Sequence, residues 1–201
     1  MSVIEQKYRQ RCAESSDINE HLPVLRDYAS RCTHITETGV RSAVSSYAFA
    51  AGLLGKPENK LVQVDLNNHK NIQNFLRECK AENINAIFYE QSDLDCPLEK
   101  TDLLFIDTWH VYGHLKRELA RWNSYVSNYI ILHDTTVDEI YGETIRVGWN
   151  AEEQSKASGI PVDEINKGLW PAVTEFLAAN PDWILEKRFT HNNGLTILAR
   201  K

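Results

Sequence analysis

Two aspartates and two histidines in the second half of the chain could together carry out chemistry. Asp107 ends the apolar run DLLFID, and His133 and Asp134 follow the apolar run YIIL. If these runs are neighbouring parallel strands, about 4.8 Å apart, both carboxylates can reach one hard cation such as Mg²⁺ or Mn²⁺. His133 could be a third ligand, although imidazole suits Zn, Fe or Ni better. The alternative is a neutral histidine that orients Asp134 or faces the core.

A second route to proton removal is offered by His110, which lies three residues beyond Asp107. The ordinary pKa of imidazole makes this residue a natural general base for a hydroxyl group. Its alternative role is to cap the helix that follows. Trp109 and Trp149 could supply apolar walls for a bound molecule, whereas Trp122 and Trp170 occur in helical patterns that favour the core.

The elements that must position these groups begin with residues 33–42. The pattern predicts a strand over 33–36, a tight turn at Gly39, and a helix over 43–54 capped by Ser42. Glycine permits a positive φ or the close approach of another group. Glu37 at the strand end and the N–H groups of the helix would face the same space. This arrangement predicts a ligand at the carboxyl edge of a sheet.

Further strands and helices alternate along the chain. Continuously apolar runs predict buried strands over residues 60–66, 84–90, 102–107 and 129–132, with helices over 71–82 and 114–125 between them. Such alternation predicts a parallel sheet with right-handed crossovers. Strands over 183–189 and 195–199, joined at Asn193-Gly194, predict an antiparallel hairpin.

These motifs, taken in order, resemble class I S-adenosylmethionine-dependent methyltransferases over about residues 30 to 200. Glu37-Thr38-Gly39 resembles motif I, and the resemblance implies cofactor contacts at these three residues and at Ser42. Asp65 falls where the family has its ribose-binding acid. The remaining implied cofactor contacts are Ser92, Asp93 and Asp107.

The resemblance extends to the metal-dependent O-methyltransferase branch and to cephalosporin hydroxylase-like relatives. There the ends of strands four and five supply the ligands of a divalent cation, which here implies Asp107, His133 and Asp134. The family often has an acidic residue at the position of His133.

The fold expected is α/β: a Rossmann-like doubly wound sheet of seven strands, mostly parallel with an antiparallel last strand and helices on both faces. Residues 1–201 would form a single domain. Residues 1–31 would form helices, the second starting at Ser16 or Asp17, that cover the sheet, close over a substrate or form a homodimer contact; simple covering is the main expectation. Residues 135–167 are too long for a passive connector and predict a lid or substrate-recognition insertion.

Composition narrows the class of protein. Hydrophobic residues make up 42% and charged residues 25% of the 201 residues, as in ordinary globular proteins. The net charge of −6 and the lack of a Lys/Arg cluster disfavour nucleic-acid binding. Four scattered cysteines predict reduced thiols in a cytoplasmic protein, and no apolar run reaches membrane-spanning length.

The function implied is methylation of a hydroxyl group on a small polar acceptor, with a sugar or glycoside as the first guess. His110, or a cation at Asp107 and Asp134, would assist loss of the hydroxyl proton. The alternatives are an N-methyltransferase or metal-dependent hydroxylase on the same fold, and a non-catalytic cofactor-binding module. A dehydrogenase is disfavoured, because the second and third glycines of the G-x-G-x-x-G fingerprint are absent.

Overall fold

The computed structural model describes residues 1–201. Its strands are β1 (His34–Thr38), β2 (Lys60–Asp65), β3 (Ala86–Glu90), β4 (Thr101–Ile106), β5 (Val126–His133), β6 (Trp183–Phe189) and β7 (Leu195–Arg200). Its longer α-helices are α1 (Val3–Ala13), α2 (Leu22–Ser30), α3 (Val44–Leu53), α4 (Lys70–Ala81), α5 (Tyr112–Trp122), α7 (Ala151–Ser158) and α9 (Trp170–Ala179). Two short helices, α6 (Glu143–Val147) and α8 (Val162–Asn166), flank α7. No helix is both long enough and apolar enough to cross a lipid bilayer.

The strands form one sheet in the order β3-β2-β1-β4-β5-β7-β6. The first five strands pair in parallel, and β7 runs antiparallel to both β5 and β6. The predicted seven-stranded, mostly parallel sheet with an antiparallel last strand is therefore confirmed. Because parallel strands end at the same edge, the ends of β1 to β5 meet there.

Alternate side chains of the central strands pack against helices on opposite faces. In β4, Leu103 and Phe105 join the core beneath α1, α2, α3 and α4, while Leu104 and Ile106 join the core beneath α5 and α9. Because successive strand side chains point to opposite faces, a continuously apolar strand requires this double cover. The predicted helices on both faces are confirmed.

The N-terminal prediction was wrong in one detail. The second helix starts at Leu22, after a 3-10 turn over Asn19–His21, and not at Ser16 or Asp17. Pro23 lies in the first turn of α2, where its missing N–H costs nothing. Ser16 and Asp17 instead lie in a loop that contacts the far hairpin, since Asn192 Nδ2 donates to the carbonyl of Ser16 at 2.8 Å.

Candidate active site

A cavity of about 940 Å³ opens at the carboxyl ends of β1 to β4. The loops that follow these strands supply most of its wall, and residues of the segment 135–167 supply the rest. Residues predicted from the sequence that line it are Gly39, Asp65, Ser92, Asp93, Asp107, Trp109, His110 and Trp149. Its location is where open α/β sheets bind ligands.

Gly39 forms the turn that the sequence predicted. Its φ is +79°, and a Cβ atom there would overlap the carbonyl oxygen of Asp107. Only glycine fits both conditions. The prediction that Ser42 caps the next helix was wrong: the residue before α3 is Ala43, with φ 58° and no capping side-chain bond. Arg41 and Ala43, on either side of Ser42, both have a positive φ, so the turn continues past Ser42, which does not line the cavity.

Asp65 lines the cavity and holds this turn from below. Its Oδ2 accepts the amides of Val40 and Arg41, each at 2.8 Å, and its Oδ1 accepts the amide of Asn67 at 2.9 Å. A carboxylate oxygen has two lone pairs, so Oδ2 is fully used and Oδ1 can accept one further bond from a ligand. The sequence did not reveal this structural use of Asp65.

Glu37 and Thr38 lie beneath the turn and do not line the cavity. The Glu37 carboxylate is fully buried and accepts bonds from Ser46 Oγ at 2.7 Å and Gln63 Nε2 at 2.8 Å. It also accepts a bond from Ser45 Oγ, so it holds the first turn of α3. Glu37 makes no ion pair with Arg41, which pairs with Asp17 at 2.6 Å. Burial raises the pKa of Glu37 to about 7 despite the three hydrogen bonds.

This buried carboxyl group should make stability depend on pH. A raised folded-state pKa penalises the ionised form, so stability should fall as pH rises from about 4.5 to about 7. Because Glu37→Gln cannot ionise, the variant should gain about 3 kcal/mol relative to wild type between pH 4.5 and 8.5. Urea unfolding at several pH values measures this. The exposed Glu58→Gln is the control, and parallel pH curves for Glu37→Gln and wild type would refute the prediction.

The ends of β4 and β5 bring the predicted chemical residues together. His110 Nε2 lies 3.2 Å from Asp107 Oδ1, and His110 Nδ1 lies 3.0 Å from Asp134 Oδ2. His133 Nδ1 lies 3.1 Å from the same Asp107 oxygen. Asp138, which sequence reasoning missed, is fully buried and lies 3.3 Å from His110 Nδ1. The imidazole of His110 is thus surrounded by carboxylates.

These charges control the protonation of both histidines. Burial opposes the charged form of His110, yet the nearby carboxylates of Asp107, Asp134 and Asp138 raise its pKa well above the usual value. Burial likewise opposes charging of His133, but Asp107 and Asp134 raise its pKa to about 9. Around neutral pH, His110 in this arrangement is an imidazolium and not a ready base.

The donor atoms at this edge include a group that could hold a divalent cation. Asp107, His110 and Asp134 each offer one ligand atom within 4.8 Å of the others. Asp134 Oδ1 is buried without a hydrogen-bond partner, and His110 Nδ1 has no well-directed bond. His133 offers a further nitrogen, since its Nδ1 lies 3.1 Å from Asp107 Oδ1 while its Nε2 meets the carbonyl of Asp17 at 3.1 Å. The two carboxylates suit a hard cation, and His110 and His133 both place a nitrogen beside Asp107.

The segment 135–167 contributes one side of the cavity. It supplies Glu143, Trp149, Gln154, Ala157, Ser158 and Ile160 to the wall. Trp149, in the link between α6 and α7, is 48% exposed. Arg146 of α6 pairs with Asp138 at 2.6 Å, which ties this segment to the charged cluster. Its polar and aromatic groups therefore face the same space as Asp107 and His110.

The chain resembles solved structures in its fold. No protein-family model matches the chain, and no curated protein matches it. Among solved structures, O-methyltransferase TomG from Streptomyces achromogenes, involved in tomaymycin synthesis and in complex with S-adenosylmethionine, is 13% identical with a TM-score of 0.63. The match covers 100% of this chain and 91% of that one.

Two further structures have the same architecture. An O-methyltransferase from Bacillus cereus in complex with S-adenosylhomocysteine is 13% identical, covers 98% of this chain and 90% of its own, and has a TM-score of 0.60. A Podospora anserina methyltransferase bound to S-adenosylhomocysteine is 14% identical and has a TM-score of 0.59. The match covers 98% of this chain and 87% of that one. The chain therefore has the Rossmann-like fold of the class I methyltransferases.

Proposed function

We propose that this protein is an S-adenosylmethionine-dependent O-methyltransferase that acts on a hydroxyl group of a small polar acceptor. The observation that carries the proposal is the cavity, which is lined at the ends of four adjacent strands. Gly39 follows β1, Asp65 ends β2, Asp93 follows β3 and Asp107 follows β4. The sequence motifs predicted cofactor contacts at these four residues. Solved proteins of the same fold are bound to S-adenosylmethionine or S-adenosylhomocysteine, which supports the same class of ligand here.

The cofactor would lie across the strand ends. The turn at Gly39 lets the ligand approach the backbone, and Asp65 accepts a bond from a ribose hydroxyl with the remaining lone pair of Oδ1. Ser92 and Asp93 meet the adenine. Asp65, Asp93, Asp95, Asp107 and Glu143 all line the cavity, against Arg41 as its one arginine or lysine. This acidic lining suits a sulfonium cation.

The reaction would be an in-line displacement at the methyl carbon. The chain contributes mainly by holding the acceptor oxygen in line with the leaving sulfur, and such positioning can supply about 7–11 kcal/mol of the barrier reduction. The acceptor must also lose a proton. A divalent cation held by Asp107 and Asp134 would lower the pKa of a bound hydroxyl. His110, between these carboxylates, would be the group that holds or relays the proton.

The acceptor would meet the segment 135–167, which we propose is a lid or substrate-recognition insertion. Trp109 and Trp149 present aromatic surfaces to the cavity, and Gln154 and Ser158 add hydrogen-bonding groups. Aromatic surfaces beside polar side chains suit a sugar or glycoside, whose ring has apolar faces and polar edges.

A labelled-methyl assay tests this proposal. The protein is incubated with [methyl-³H]S-adenosylmethionine, Mg²⁺ and two acceptor panels, one of glycosides and one of catechols. We expect label on a glycoside hydroxyl, and we expect Trp149→Ala to raise the acceptor KM with little change in cofactor affinity. Label on catechols alone would refute the sugar acceptor. No transfer to either panel, despite tight cofactor binding, would favour the non-catalytic module.

A further inference from the structure

Glu118 of α5 lies behind the cavity wall and connects the ends of two strands. Its side chain is fully buried. Glu118 Oε2 accepts the Thr108 hydroxyl at 2.9 Å, just after β4, and Oε1 accepts the Thr38 hydroxyl at 3.4 Å, at the end of β1. Glu118 itself does not line the cavity. The proposed chemistry leaves this residue without a role.

The same carboxyl group reaches a third strand end through His114. His114 Nε2 lies 2.9 Å from Asp93 Oδ2 and 3.8 Å from Glu118 Oε2. His114 and Glu118 are one helical turn apart on α5, so they lie on the same face. Asp93 and His114 both line the cavity. Glu118 thus supports a histidine–aspartate pair whose outer side faces the ligand.

Proton positions follow from the burial of this group. Burial and the neighbouring Asp93 raise the pKa of Glu118 well above its usual value, so Glu118 keeps its proton. Asp93, His114 and Glu118 each place one polar atom within 4.8 Å of the others, so this protonated carboxyl group lies beside the Asp93 carboxylate. Burial opposes ionisation of Asp93, but the hydrogen bond from His114 and the neighbouring protonated Glu118 lower its pKa below the usual value. Asp93 is therefore a fixed, ionised acceptor at the cavity wall.

We infer that Glu118 is a positioning residue which, with His114, fixes the Asp93 carboxylate so that the cavity selects a 6-aminopurine over a 6-oxopurine. A fixed carboxylate can accept a bond from an exocyclic amino group. It repels the oxygen that replaces this group in hypoxanthine, and the buried acceptor is then left unpaired. This inference rests on the proposed function, because it assumes that a purine nucleoside occupies the cavity.

Calorimetry with two ligands tests the inference. S-adenosylhomocysteine and S-inosylhomocysteine differ at position 6 of the purine. We expect wild type to bind the adenine compound about 10²-fold more tightly, and Glu118→Ala to reduce this ratio to below about 10-fold. Glu118→Gln should retain the wild-type ratio, because its amide can donate to Asp93 and its carbonyl can accept from Thr108. A merely structural role would lower both affinities equally and leave the ratio unchanged.

His114→Phe provides a second route if Glu118→Ala does not fold, because its ring preserves the packing while removing the bond to Asp93. It should also reduce the ratio. The control is Glu175→Ala, which removes an exposed carboxylate that contacts α5 at Tyr112 and Lys116, away from the cavity. An unchanged ratio in Glu118→Ala or His114→Phe would overturn the inference but leave the proposed function standing. Failure of wild type to bind S-adenosylhomocysteine would overturn both the inference and the proposed function.

Discussion

Asp107→Asn is expected to lower kcat by about 10²–10⁴-fold, the range typical for loss of assistance to proton transfer. Asparagine keeps the shape of the side chain but removes the negative charge that faces both His110 and His133. A cation at this edge would also lose an anionic ligand. Cofactor affinity should change much less, because the charge of Asp107 assists loss of the proton from the acceptor hydroxyl. Single-turnover methyl transfer at saturating cofactor, together with calorimetry, separates the two effects.

The control for this variant is Asp182→Asn, which removes an exposed carboxylate that pairs with Arg200 near the C-terminus. It should leave the rate unchanged. In the same assay, excess EDTA should abolish turnover by wild type, and Mg²⁺ or Mn²⁺ should restore it. Full activity in EDTA would contradict the cation. A near wild-type rate for Asp107→Asn would contradict the role of Asp107 itself.

Gly39→Ala is expected to abolish measurable cofactor binding. An alanine Cβ would overlap the carbonyl oxygen of Asp107, and a positive φ costs an L-residue roughly 1–2 kcal/mol in addition. The turn must therefore move away from the end of β4. Each 1.4 kcal/mol lost from binding is about a tenfold loss of affinity, so we expect a loss of at least about 10²-fold by calorimetry.

Gly55→Ala is the matched control for this substitution. Its φ is +76°, close to the +79° of Gly39, but a Cβ there would meet no atom within 4 Å. Both variants therefore carry similar backbone strain, and only Gly39→Ala carries the overlap. Gly55→Ala should lose some thermal stability and keep full cofactor affinity. Equal affinities of the two variants would show that the turn is not a binding surface.

The sheet could be predicted because its signals are local. Continuous apolar runs indicated buried strands, and Asn193-Gly194 indicated the hairpin that joins β6 to β7. The polar residue after each apolar run then indicated where the strand ends. Asp65, Asp93 and Asp107 could be assigned to one edge without knowing any contact, because parallel strands end together.

Predictions that depended on long-range contacts did less well. Ser42 does not cap α3, because the turn that Asp65 holds from another strand extends to Ala43, and Ala43 occupies the position before the helix. Three acids around His110, including Asp138 from the segment after β5, invert its expected protonation. Glu118 carried no sequence signal beyond its helical spacing from His114. Each of these effects joins residues that are adjacent only in the folded chain.

The most direct test of the central claim is calorimetric titration of the protein with S-adenosylhomocysteine. The proposed function predicts one molecule bound per chain, and loss of that binding in Gly39→Ala but not in Gly55→Ala. Absence of binding to wild type, or binding that Gly39→Ala leaves unchanged, would contradict the assignment of this cavity to the cofactor.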